Sequence, residues 1–93
     1  MDAERNKLRF RAWRRGFREA DLILGPFADL HVPTMSAEEL ATFEILLDQL
    51  DHDLYAWIVG RAPTPPEFDN AMMRKICAFR YEALAQRGDD LGA

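Results

Sequence analysis

Three arginines, a glycine and a carboxylate fall within seven residues, Trp13 to Glu19 (WRRGFRE). Arg14, Arg15 and Arg18 offer planar guanidinium forks that match carboxylate or phosphate, and Glu19 accepts from a donor. Gly16 presents bare backbone, so a partner can approach closely. On a continuous helix Arg15 and Glu19 would lie one turn apart, flanking it. This is the chemistry of recognition rather than of bond making. The residue types that make bonds or hold metals do not gather. His31, His52 and Cys77 share no ligand spacing; both histidines read as surface or capping residues and Cys77 as a half-buried structural thiol. Ser36 and His52 stand in unrelated contexts, with no strand-turn-helix around a nucleophile. No glycine-rich loop follows a strand to cradle phosphate.

The charge distribution narrows the partner. The chain of 93 residues has net charge -4, but residues 1–18 hold seven bases against two acids. The remainder holds five bases and fourteen acids. A basic head thus sits on an acidic body. It can meet an anionic partner, or its own acidic body. Nucleic acid is disfavoured by the carboxylates Glu38, Glu39, Glu44, Asp48, Asp51 and Asp53, which would repel a duplex. Cys77 is the single cysteine, so no intrachain disulfide forms and a reducing compartment fits best. No apolar run approaches the ~20 residues of a membrane span, and no signal-peptide core follows the first charges. The start reads as mature protein.

The elements that position WRRGFRE are all helical, since no segment shows sustained strand alternation. A first helix is predicted from about Glu4 to Arg15, with Phe10 and Trp13 on one side, packed inward, and Leu8 and Ala12 on a neighbouring one. Gly16 costs up to ~1 kcal/mol inside a helix, or little if it closes one with positive φ. A second helix from about Phe17 to Leu30 buries Ala20, Ile23, Leu24 and Phe27, with a kink or early end near Gly25 because Pro26 removes a backbone bond. Ser36 and Glu39 form a capping box for a third helix to about Leu50, buried through Leu40, Phe43, Leu47 and Leu50. Asp51 or Asp53 caps a fourth through Val59, carrying Leu54, Trp57 and Ile58 inward, and Gly60 stops it. After the proline-rich RAPTPPE, a fifth runs from about Glu67 to Gln86 with a stripe of Phe68, Met72, Ile76, Phe79 and Ala83. Residues 87–93 read as a frayed tail. The expectation is one all-α domain over 1–93, a compact five-helix bundle with its core in about 5–86.

The order of these features resembles a known family. Arg15-Gly16-Phe17-Arg18-Glu19 fits an RGxxE signature. It is followed by an apolar run from Leu22 ending Pro26-Phe27, the helix opening Ser36 to Leu40, and Asp53-Leu54-Tyr55-x-Trp57 before the stop at Gly60. RGxxE alone would be weak, but the ordered set over about residues 5–85 is similar to the succinate dehydrogenase flavinylation factors. The resemblance implies a five-helix assembly factor, not an enzyme. Its partner would be the flavoprotein subunit of succinate dehydrogenase, with fumarate reductase as a further client, and it would promote covalent attachment of FAD there. It would hold no cofactor of its own, FAD being bound by the partner. The motif carries over to Arg15, Gly16 and Glu19 as partner-binding residues, extended along the basic segment to Arg14 and Arg11. Phe17 and Arg18 occupy its free positions and inherit nothing. A bacterial cytoplasmic protein is expected, monomeric alone and heterodimeric with its client. The alternative is a small regulator that binds nucleic acid or a toxin protein through the basic helix.

Overall fold

The computed structural model describes residues 3–80. Within them the chain is all-α: α1 (Ala3–Ala12), α2 (Arg18–His31), α3 (Ala37–Leu47), α4 (Asp51–Ile58) and a fifth helix, α5, over 71–80, where the described residues end. Two short 3-10 turns, Val32–Thr34 and Pro66–Phe68, join them. The five-helix expectation holds. Ala83, the predicted end at Gln86 and the tail 87–93 lie outside the described residues.

α1 and α2 run antiparallel, as three successive contacts show. Arg5 donates to the Val32 carbonyl at 2.5 Å, Arg9 pairs with Asp29 at 3.0 Å, and the Trp13 ring lies over Gly25. The core gathers Leu8 and Ala12 of α1, Leu24 and Phe27 of α2, Phe43 and Leu46 of α3, Leu54 of α4 and Ile76 of α5. Phe27 is its hub, its ring 5.7 Å from both Phe43 and Phe79.

Helix ends show where side-chain chemistry overrode periodicity. The capping box is present: Glu39 N–H donates to Ser36 Oγ at 3.1 Å, and Ser36 N–H donates to Glu39 Oε1 at 3.0 Å. Gly60 stops α4 with φ +78°, and Arg61 N–H reaches back to the Ala56 carbonyl at 2.9 Å, closing a Schellman turn. Four boundaries differ from expectation. α1 ends at Ala12, three residues early. α2 does not end near Gly25 but continues through Pro26 to His31, because Phe27 and Ala28, just beyond the proline, are wholly buried. That burial outweighs one missing backbone bond. α3 stops at Leu47, and Leu50 is the extended N-cap residue of α4, 74% exposed rather than buried. α5 opens not at Glu67 but behind Asn70, whose side-chain oxygen accepts from Met73 N–H at 3.0 Å.

The inward faces also shift. Phe10 is 59% exposed and Trp13 is partly exposed, so on α1 it is Leu8 and Ala12 that enter the core. Trp13 instead lies across Gly25, where a Cβ would strike its ring, and donates from Nε1 to Asp29 at 3.2 Å. Met73 is buried beside Met72 and Ile76, while Phe68 and Phe79 are half-buried, Phe68 stacking on Trp57 at 5.1 Å. Ile23 and Trp57 are half-buried at the core's edge.

Candidate functional site

The motif Arg15-Gly16-Phe17-Arg18-Glu19 spans the break between α1 and α2. α1 closes through Trp13 N–H to Arg9 carbonyl at 3.2 Å and Arg14 N–H to Arg11 carbonyl at 3.1 Å, and Arg15 then leaves the helix. Arg15 and Glu19 therefore do not share a helical turn. Arg15 lies in the loop, and Glu19 lies in the first turn of α2, where its charge suits the helix dipole.

Among the described residues Arg15 is the one buried charged side chain, 6% exposed. One Nη donates to the Leu47 carbonyl at 2.6 Å; the other donates to the Gln49 carbonyl at 2.9 Å and pairs with Asp51 at 2.7 Å. The guanidinium thus caps the carbonyl end of α3, where the helix dipole is negative, and ties it to the first residue of α4. A planar fork can serve both helices at once; a lysine ammonium cannot hold that geometry. Burial pulls the Arg15 pKa below its ordinary value, and Asp51 opposes that pull most strongly. Arg15 Nε is buried without an acceptor among the described residues. The loop is fixed from the other side by Asp21, whose Oδ1 accepts the Arg15 backbone N–H at 2.6 Å.

Gly16 adopts φ +105°, a conformation that side-chain-bearing residues rarely tolerate. A Cβ there would stand 2.7 Å from Asp51 Oδ2, the carboxylate that holds Arg15. The space its missing side chain leaves is thus filled by this chain's own ion pair. Glycine is thus favoured twice over, first by its positive φ and then by the Asp51 carboxylate that a Cβ would crowd. Phe17 completes the attachment, its ring stacked on His52 at 4.7 Å and edge-on to Tyr55 at 5.1 Å, so the loop leans on α4 by charge and by aromatic contact.

The expected partner-facing residues thus divide. Arg15 is inside. Arg11 is turned to α3, pairing with Asp48 at 2.7 Å and lying 3.9 Å from Glu44. Gly16, Arg14 and Glu19 are exposed, and among the described residues no side chain pairs with Glu19. Arg14 lies over the Phe10 ring at 4.3 Å. The acidic body therefore absorbs part of the basic head, through Asp29, Asp48 and Asp51.

Sequence reading missed Asp51 as the partner of Arg15; expectation made it a helix cap, but Leu50 is the N-cap residue. Asp21, Gly25 and the Leu47 and Gln49 carbonyls were missed too. The only local signal is Asp51 itself, an acid at the joint of two helices opposite an unbalanced arginine. Among the described residues no three His, Cys, Asp or Glu side chains gather as metal ligands, and no helix is long and apolar enough to cross a membrane. Cys77 is half-buried with its thiol directed at the Ile58 carbonyl at 3.8 Å, and burial raises its pKa.

Residues 6–80 match the model of a family described as flavinator of succinate dehydrogenase. The chain belongs to that family. It is 40% identical over 76 residues to "FAD assembly factor SdhE" of Acetobacter pasteurianus, covering 82% of this chain and 70% of that protein. It is 40% identical over 90 residues to "Succinate dehydrogenase assembly factor 2, mitochondrial" of Komagataella phaffii, covering 97% of this chain and 47% of that one. The like-named Dictyostelium discoideum protein is 35% identical over 72 residues, 77% and 51% of the two chains. The chain spans about half the length of these two mitochondrial relatives. The family match contains the whole motif loop and the α4 turn that latches it.

Proposed function

We propose that this protein is an assembly factor that binds the flavoprotein subunit of succinate dehydrogenase and promotes covalent attachment of FAD to it. The observation that carries the reading is the motif loop itself, locked by the Arg15–Asp51 pair so that Gly16 and Glu19 face solvent in a fixed geometry, within a chain of the flavinator family. A rigid exposed loop pays little ordering entropy on binding.

The mechanism follows from that rigidity. The factor binds the conformation of the FAD-loaded flavoprotein in which the acceptor histidine and the flavin methyl carbon are in reactive register. Differential affinity for that conformation raises its population, and held geometry shortens the search for the attack position. The bond-forming chemistry belongs to flavin and flavoprotein. The surface beside the motif supports this division, being an open basin lined by Trp13, Arg14, Gly16, Phe17, Arg18 and Asp21, which would leave a flavin unenclosed. FAD stays with the partner in this reading, and the factor works as a monomer that forms a heterodimer with its client in a bacterial cytoplasm. The fumarate reductase flavoprotein is a further client to test.

The test is reconstitution. Apo flavoprotein subunit and FAD are incubated with and without the factor, and covalent flavin is read by fluorescence of the denatured subunit in a gel. A marked rise in covalent flavin with the factor is expected. Equal yields with and without it would refute the assignment.

A further inference from the structure

The basic head is only partly neutralised by the acidic body, and two of its arginines lie together at one basin. Arg11 and Arg15 are committed to carboxylates of α3 and α4, and Arg9 to Asp29 of α2. Among the described residues no carboxylate pairs with Arg14 or Arg18, and both are exposed. They line the open basin together with Trp13, Gly16 and Phe17. Its one acid, Asp21, already accepts the Arg15 amide through Oδ1. Two of the bundle's exposed large apolar side chains adjoin the same edge: Phe10, 59% exposed beneath the Arg14 guanidinium, and Trp13, 39% exposed.

We propose that this basin is the seat of an acidic segment of the client flavoprotein, whose carboxylates pair with Arg14 and Arg18 while an apolar side chain beside them covers Phe10 and Trp13. The inference rests on the assembly-factor reading and adds the chemistry of the partner. Charge complementarity selects the occupant. Unpaired guanidinium forks beside exposed aromatic rings suit carboxylates carried on a chain that also brings apolar surface. A nucleic-acid duplex would meet the carboxylates of Asp29 on α2 and Asp48 on α3, which are partly exposed even in their ion pairs. Arg18 thereby gains a role at a position the motif leaves free, and Glu19, a step further round α2, meets a donor of the same partner.

The experiment measures the affinity of the purified factor for the FAD-loaded flavoprotein subunit by calorimetry. Wild type is compared with R14E/R18E and with R14K/R18K, at roughly 50 and roughly 300 mM salt. Far-UV circular dichroism and the melting temperature check folding, since among the described residues neither side chain has a carboxylate partner to lose. We expect R14E/R18E to weaken binding at least about tenfold at low salt and to flatten its salt dependence, with R14K/R18K between the two. Binding by R14E/R18E within about twofold of wild type, with the same salt slope, would overturn the acidic-segment proposal and leave the assembly reading intact. Failure of the wild type to bind the flavoprotein would overturn both. A parallel titration with a random-sequence DNA duplex separates the remaining occupant: duplex affinity equal to that for the flavoprotein, lost in R14E/R18E, would also overturn it.

Discussion

The two halves of the motif loop face opposite ways. Arg15 looks into the bundle, where its guanidinium joins the end of α3 to the start of α4, and the backbone of exposed Gly16 beside it leaves room for the Asp51 carboxylate. Arg14, Arg18 and Glu19 look outward and are exposed. A signature of three fixed residues thus contains both a scaffold and a face. Substitution in the first half perturbs the second indirectly, by moving the loop that carries it. Substitution in the second half leaves the bundle intact. Activity alone cannot tell the halves apart; stability can.

Arg15→Ala should have the largest effect on stability. It leaves the Leu47 and Gln49 carbonyls uncapped and Asp51 unpaired. We expect a loss of roughly 2–4 kcal/mol by urea denaturation, at the lower side of buried-pair values because Asp51 is 37% exposed. Arg15→Lys should recover only part, since one ammonium cannot reach both helices. Recovery to the wild-type midpoint by lysine would show that charge, not the fork, holds the loop.

Gly16→Ala comes next. Its φ of +105° costs an alanine about 1–3 kcal/mol, and the new Cβ displaces Asp51 Oδ2. The double-mutant cycle with Asp51→Ala sharpens the comparison. If the glycine serves the latch, the penalty of Gly16→Ala falls when Asp51 is truncated, leaving the backbone strain alone. An unchanged penalty would mean that the carboxylate imposes nothing on Gly16.

A smaller effect is expected far from the loop. Ser36→Ala removes the α3 cap and should cost about 1 kcal/mol without touching the motif. Its partner Glu39 has a lowered pKa, first through the Ser36 backbone N–H and then through Lys75. A carboxylate depressed on folding contributes stability that is complete above its unfolded pKa and is lost as pH falls through the folded one. Wild type should therefore lose more stability on acidification than Glu39→Gln, which keeps the acceptor oxygen without the charge; thermal melts over an acid series read the difference.

What was legible in the sequence follows the same division between local and distant causes. The capping box at Ser36 and the stop at Gly60 are set by neighbours within five residues, and both stand where the pattern puts them. Helical periodicity marks Leu24, Phe27, Phe43, Leu54 and Ile76 as core because each repeats within its own helix. The latch is different in kind. Arg15 and Asp51 are joined only once α1 and α2 have folded back over α3, so no spacing announces the pair. The same absence misled expectation about Phe10, whose helical position alone cannot say that Leu8 and Ala12 take the inner face. Leu50 likewise looks like another turn of α3 until Arg15 claims the carbonyls of Leu47 and Gln49 and ends that helix. The ordered motif marked the loop between α1 and α2, but not that Arg15 within it turns inward.

Glu19 decides whether the outward half is a face at all. It is exposed, and among the described residues no side chain pairs with it, so removing its carboxylate should change stability by less than about 0.5 kcal/mol. A small part of even that is its favourable place in the first turn of α2. If the residue serves only the fold, Glu19→Ala should flavinylate the client as well as wild type does. If it accepts a donor from the flavoprotein, the variant should melt like wild type yet yield clearly less covalent flavin, and Glu19→Gln, which keeps an acceptor oxygen, should retain part of the activity. Loss of function at unchanged melting temperature is the signature that Arg15 and Gly16 cannot provide, because their loss moves the loop and the face together.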